Sequence, residues 1–199
     1  KDSLKESPQL ETFIKNKIEV LFMTDPVDEF WLSSLNEYQG HKFRSITKGE
    51  IDISKIVNKE TKDKKKNDDK IDNDLASLIT YLKNCLNKEV KDVKISQRLT
   101  ESPVCLVADE KEMDIHLESL LKKHKQIEKT ASKILEINPK HNLIIAASKL
   151  DRSIENNRKK LDDIAFLLLD QAKILEGIKV DDSKKFSIRI NNVLSDVLK

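Results

Sequence analysis

The chain has 199 residues, of which 36% are charged and 38% hydrophobic, with only three glycines and four prolines. That composition favours a helix-rich globular protein and argues against a β-sandwich or a disordered chain. Thirty-seven basic residues face thirty-five acidic ones for a formal net charge of +2, and because the basic clusters are interleaved with acids, no nucleic-acid footprint is present.

The length suits one full domain plus a smaller piece. Opening on Lys1 inside a charged, periodic stretch, the chain reads as part of something longer. Leu10, Phe13, Ile14 and Ile18 fall at helical spacing behind Ser7-Pro8, a cap residue followed by a first-turn proline. Glu19 to Met23 is a short apolar run that reads as a buried strand. Asp25-Pro26 opens a second helix with Val27, Phe30, Trp31, Ser34, Leu35 and Tyr38 on one face, ended by Gly40 as a left-handed cap. Lys42 to Thr47 reads as another strand. Helix, strand, helix, strand in this order implies a layer with two parallel strands and a crossover helix. Such a piece is too small for its own core, so it is the end of a larger α/β domain or docks on the remainder of the chain.

From Asn58 to Asp74 the residues are almost wholly Lys, Asp, Glu and Asn, including Lys64-Lys65-Lys66 followed by Asp68-Asp69. The stretch reads as a linker or a solvated helix extension, since it cannot bury enough apolar area to offset its ordering entropy. A second domain opens with a helix carrying Leu75, Leu78, Ile79, Leu82 and Leu86. Val90 to Ser96 alternates as a half-buried strand, Thr100 to Pro103 turns, Val104 to Ala108 pairs back, and Ile134 to Ile137 is a third strand. Asn138-Pro139 reads as the cap of a helix through Leu150. Ile154 to Glu176 is the longest periodic run, ended by Gly177. Phe186, Ile190, Val193, Leu194 and Val197 make the stripe of a last helix that Asp182 or Ser183 caps. The fold class is therefore α+β.

Little in the chain points to chemistry. Gly40, Gly49 and Gly177 lie too far apart for a phosphate cradle. His41, His116, His124 and His141 form no metal-ligand pattern with each other or with Cys85 and Cys105, which read as reduced thiols. No serine sits in a nucleophile-elbow context. No catalytic, cofactor-binding or metal-binding residue is expected. No apolar run approaches the ~20 residues that cross a bilayer, and no signal peptide opens the chain, so a cytoplasmic protein with no membrane partner is expected.

Two features exceed background. On the helix from Ile154 to Leu175, Leu161, Ile164, Ala165, Leu168, Ala172 and Leu175 make one face, widened by Leu167, Leu169 and Ile174. A helix apolar over more than half its circumference buries two sides. With the final stripe it suggests a homodimer interface; the alternative is an ordinary central core helix. The second feature is Met113, Leu117, Leu120 and Leu121, spaced i, i+4, i+7, i+8. This face either packs on its own sheet or stays exposed for varied apolar partners, to which Met adapts at little cost.

Several stretches resemble the ninety-kilodalton heat-shock chaperone family. Ile18-Glu19-Val20-Leu21-Phe22-Met23-Thr24-Asp25-Pro26-Val27-Asp28-Glu29-Phe30 is similar to a late middle-domain motif of that family. Val90-Lys91-Asp92-Val93-Lys94-Ile95-Ser96-Gln97-Arg98-Leu99-Thr100-Glu101-Ser102-Pro103 is similar to the strand and turn that open its carboxy-terminal domain. Leu135-Glu136-Ile137-Asn138-Pro139-Lys140-His141, Leu167-Leu168-Leu169-Asp170-Gln171-Ala172 and Arg189-Ile190-Asn191 come next in the family's order. The resemblance implies the end of a middle domain at residues 1–55, a charged linker at 56–74 and a dimerisation domain at 75–199. The last helices of that domain pair into an intermolecular four-helix bundle, with Leu161, Ile164, Ala165, Leu168, Ala172, Leu175, Phe186, Ile190, Val193, Leu194 and Val197 at the seam. It further implies that Met113, Leu117, Leu120 and Leu121, with Phe30 or the adjacent Trp31, hold unfolded client proteins. ATP and magnesium would belong to an amino-terminal domain outside this chain. The ending Asp196-Val197-Leu198-Lys199 lacks the acidic tail of eukaryotic cytosolic members, so a bacterial member fits best, ahead of a mitochondrial one. A reading from another class is a free-standing helical scaffold that dimerises and binds one folded partner.

Overall fold

The structure is a computed structural model that describes residues 5–35, 37–53, 73–127 and 131–198. Ser7 lies in extended conformation before a 3-10 turn, Pro8–Leu10, whose proline needs no N–H partner, and the turn runs into α1, Glu11–Lys15. Leu10 and Phe13 point inward. The strand expected at Glu19 to Met23 does not form: Leu21 is 67% and Phe22 45% exposed. A strand needs an edge to pair with, and none is offered there among the described residues.

Asp25 and Asp28 form a reciprocal capping box that starts α2, Pro26–Ser34. The helix stops sooner than its sequence pattern suggests. Gln39 and Gly40 both have positive φ, 50° and 80°, and form the tip of a hairpin between β1, Glu37–Tyr38, and β2, His41–Lys42. Its register pairs Glu37 with Lys42 and Tyr38 with His41. Gly40 therefore serves a tight antiparallel turn instead of a helix cap, because two successive left-handed residues match the twist of a two-residue hairpin. The parallel crossover layer is not formed. Beyond Lys42 the expected strand is replaced by a segment bound to Ala108: the Gly49 N–H donates to the Ala108 carbonyl at 2.9 Å and the Ala108 N–H to Thr47 at 3.0 Å.

Of the stretch expected as a charged linker, 56–74, all but its last two residues lie outside the described residues. Asn73 and Asp74 open α3, Asn73–Cys85, which buries Leu78 and Leu82. Next comes a three-stranded sheet, built of β3 (Asp92–Ile95), β4 (Val104–Val107) and β5 (Ile134–Ile137) in the order β3-β5-β4. β4 does not pair back onto β3. The later strand β5 takes the centre, parallel to β3 and antiparallel to β4. Its residues are all buried, the requirement of a strand covered on both faces.

Between β4 and β5 lies α4, Ile115–Lys123, and after β5 come α5 (Asn142–Ser148), α6 (Glu155–Leu175) and α7 (Ser183–Val197). His141, not Asn138, caps α5: its Nδ1 accepts the Leu143 N–H at 3.1 Å. Asn138 is buried and donates to the Ser102 carbonyl. Gly177 ends α6 with φ +67°, and Asp182 caps α7 by accepting the Lys185 N–H at 2.9 Å. One core joins α3, the sheet, α5 and α6 through Leu78, Leu82, Val93, Leu135, Ile144, Leu161 and Leu169. Among the described residues no helix is long and apolar enough to cross a membrane.

Candidate functional site

The junction between residues 5–53 and the larger unit is polar and buried. Arg98, in the connection from β3 to β4, is 1% exposed. Its Nε lies 2.9 Å from the Glu136 carboxylate on β5, and its two terminal nitrogens donate to the carbonyls of Ile46 and Gly49. Ser96 Oγ donates to Glu136 at 2.6 Å while accepting the backbone N–H of Arg98 and Leu99. Each nitrogen of the planar guanidinium thus serves its own acceptor, a spread that the single nitrogen of a lysine does not have. On the other side the carboxylate of Glu11 accepts the consecutive N–H groups of Thr100, Glu101 and Ser102 at 2.6, 2.7 and 2.9 Å. Burial pushes the Glu11 pKa up, but these donors outweigh it and hold the carboxyl below the ordinary value of 4.5. Gln9, fully buried, donates to the Leu106 carbonyl at 2.9 Å and to Glu176 at the end of α6. Burial raises the pKa of Glu176.

Two exposed apolar regions flank this junction. The first is built by α2, which packs on α4. Trp31 is half-buried, donates its indole N–H to Asp28 at 3.0 Å, and meets the Phe43 ring edge-on at 6.0 Å. Val27, Leu35, Tyr38 and Phe43 are exposed around it. The side chain of Phe30 lies outside the described residues. On α4, Leu117, Leu120 and Leu121 are half-buried, and Met113, just before the helix, is exposed. The two groups of residues singled out in the sequence are thus on packed neighbouring helices. The N-terminus of α4 is set by Asp114, whose Oδ1 accepts the His116 N–H at 3.0 Å and whose Oδ2 accepts from Ser45 at 2.8 Å and from Thr47. Further along, buried Glu118 meets Lys133 at 2.7 Å and accepts the Ala131 N–H at 3.1 Å.

The second region is the antiparallel pair α6 and α7. Leu161, Ala165, Leu168 and Ala172, expected at a subunit seam, fill the core of the single chain. The reason is the position of α6, which packs on β4, α3 and α7 at once and so uses its wide apolar face internally. Ile164 is half-buried against the same core, and Leu175 is exposed. On α7 the situation is reversed: among its described residues none is buried. Phe186, Ile190 and Val193 are half-buried, Ile188 is 48%, Leu194 55% and, just past its end, Leu198 87% exposed; the Val197 side chain lies outside the described residues. Its attachments to α6 include several polar ones. Lys160 pairs with Asp196 at 3.0 Å, Asn192 donates to Asp163 at 2.9 Å, and the Arg189 guanidinium stacks 4.0 Å over Phe166.

Reactive groups are subdued. Burial and the neighbouring Asp162 push the Cys85 thiol up to about 12, and burial beside Glu136 drives Cys105 well above its usual range. Among the described residues no three His, Cys, Asp or Glu side chains gather as a metal set. Sequence reading passed over the Arg98 cluster, although its signals were present. An arginine stands just past the end of a strand, and Glu136 interrupts the apolar run Ile134–Ile137, two charges that a buried sheet tolerates only if they meet.

The family model described as Hsp90 protein matches residues 1–199. The chain is 41% identical over 199 residues to the chaperone protein HtpG of Wolbachia sp. subsp. Brugia malayi (strain TRS), covering 99% of this chain and 31% of that protein. It is 45% identical over 193 residues to the chaperone protein HtpG of Paramagnetospirillum magneticum, covering 97% and 31% respectively. With the Rickettsia bellii protein of that name the identity is 40% over 197 residues, again over 31% of its length. The chain thus spans about a third of the curated relatives it matches.

Proposed function

The chain belongs to the Hsp90 family, and from that premise we propose that it is the part of a bacterial chaperone that joins two subunits and presents a surface to unfolded clients. In this reading residues 1–55 end a middle domain, residues 75–199 form the dimerisation domain, and the ATP site and its hydrolysis belong to the remainder of the parent protein. The protein works in the cytoplasm.

One observation carries the dimer. α7 is a fifteen-residue helix with none of its described residues buried, yet with apolar Leu194 on one flank and Leu198 at its end. Isolated helices of this length are marginal in water, so a second surface that covers the flank would account for its sequence. With Ile174, Leu175 and Ile188 it offers five part-exposed side chains per subunit, whose uncovered surface equals about three whole leucines. At ~1.5–3 kcal/mol each over two subunits, that matches the ~4–15 kcal/mol cost of association. The seam is accordingly carried by Leu194, Leu198, Ile174, Leu175 and Ile188, with Phe186, Ile190, Val193 and Ile164 beneath. Pairing two copies of α6 and α7 would make a four-helix bundle. Sedimentation of the chain at micromolar concentration tests it: a dimer is expected, and a monomer throughout would end the proposal.

The client surface rests on the packing of α2, the helix of Phe30 and Trp31, against α4, the helix of Leu117, Leu120 and Leu121 that follows Met113. Half-buried, shape-tolerant apolar groups at a polar rim suit partly folded chains of varied sequence. Changing Leu120→Ser with Leu121→Ser is expected to weaken capture of reduced, carboxymethylated α-lactalbumin while leaving the dimer intact. Unaltered capture would reject this surface.

A further inference from the structure

The polar contacts around Arg98 continue past the junction. We propose that Arg98 is a positioning residue for α4, acting through residues 45–49 and the carboxylate of Asp114; its bearing on function rests on the client-surface reading above. The path is contiguous. Glu136 on the central strand holds the Arg98 guanidinium at 2.9 Å. That guanidinium grips the carbonyls of Ile46 and Gly49. Between and beside those carbonyls, the hydroxyls of Ser45 and Thr47 lie 2.8 Å apart and both donate to Asp114 Oδ2. Asp114 Oδ1 then caps α4. A buried charge on the sheet is thereby connected to the first turn of a helix far from it in sequence.

The helix needs this support. α4 has nine residues, too few to be helical alone, and of its described side chains only Ile115 and Glu118 are buried. A cap residue free to rotate would contribute less than one held by two hydroxyls. Gly49 has φ +62°, a backbone conformation that strains any residue with a Cβ, so the turn that carries its carbonyl to Arg98 is set by glycine. Two other contacts compete with the path: the backbone bonds at Ala108, and the Glu118–Lys133 pair. If they suffice, Arg98 is only a core group.

Hydrogen exchange on the full chain separates the cases. Arg98→Lys keeps the charge but has one nitrogen where the guanidinium spreads three over a plane, so it cannot span the same acceptors. Ser45→Ala with Thr47→Ala cuts the path at exposed and half-exposed hydroxyls, where the fold tolerates the change. Both are expected to raise exchange at Ile115–Lys123 roughly tenfold, the scale of one lost charge-assisted hydrogen bond. In the Ser45→Ala with Thr47→Ala variant β5 should be unchanged, because those hydroxyls do not touch the sheet, and the combined variant should raise exchange in α4 no more than Arg98→Lys alone. Exchange in α4 that stays as in the unaltered chain, or that rises equally in β5 of the hydroxyl variant, would overturn the proposal. For the functional arm, both variants should shift capture of reduced, carboxymethylated α-lactalbumin by the same factor. If capture ignores Leu120→Ser with Leu121→Ser as well, the client reading falls, while the exchange result still judges the path.

Discussion

Replacing Leu194 by glutamate tests the subunit seam without touching the fold. In the single chain this side chain is 55% exposed, so a carboxylate in its place meets water and the monomer should keep its thermal midpoint. Burying the remaining surface of a leucine against a partner contributes about 1–1.5 kcal/mol, from the ~1.5–3 kcal/mol of a full side chain. Two-fold symmetry counts the position twice, which gives about 2–3 kcal/mol, or a roughly 30- to 150-fold weaker dimer. Two carboxylates brought to one apolar seam add a desolvation cost, so this range is a lower bound. Sedimentation equilibrium over a concentration series measures it, with circular dichroism to confirm an unchanged helix content. A dissociation constant equal to that of the unaltered chain would refute the reasoning, because Leu194, the most exposed apolar side chain described on α7, would then not be covered by a partner.

Leu168→Glu should behave oppositely: at 3% exposure it places a charge in the core, and loss of the cooperative unfolding transition is expected before any change of association. Arg98→Met leaves Glu136 and Ser96 buried with one charge unpaired, and denaturant titration should show a loss of about 3–5 kcal/mol, with Arg98→Met plus Glu136→Met recovering part of it. Glu11 has a folded-state pKa below its unfolded value of 4.5, so its contribution is present above that value and lost as pH falls through the lower one. Glu11→Gln should therefore flatten the acid limb of the stability curve below pH 4.5, a limb read by thermal melts in steps of pH. With its thiol at about 12 and Cys105 buried, Cys85 should react with Ellman's reagent at pH 8 far more slowly in the native chain than in guanidine.

Helix positions were legible where apolar spacing was strong. Leu75 to Leu86 and Ile154 to Leu175 became α3 and α6 nearly as read, and Gly177 and Asp182 end and cap as their types suggest. Strand pairing was less legible. The sequence shows that Val104 to Val107 is extended, but not that a strand arriving later displaces it from β3, because partner choice is set by the helices that cover the sheet. Gly40 shows a similar ambiguity: a positive φ fits both a helix end and a hairpin, and Gln39 gives no sign that it shares that conformation. The extent of the seam is not legible in the sequence for a physical reason. Periodicity reports how much of α6 is apolar and is silent on whether a sheet or a second subunit lies against it. Trp31 and Leu120 sit on packed helices, and α4 is tied to the preceding segment by the bond from Ser45 to Asp114, polar residues with no periodic signature.

The central place of β5 has a consequence for biogenesis. Neither β3 nor β4 gains its neighbour until Ile134–Ile137 has left the ribosome, and the parallel partner of Asp92 is Ile134, far along the chain. At ~5–20 residues per second, translation takes roughly two to eight seconds to pass from Ile95 to Ile134. Throughout that interval Val93, Leu106 and Val107 have no completed sheet to join, so the nascent chain is itself at risk of the sticking that such long-range pairing invites.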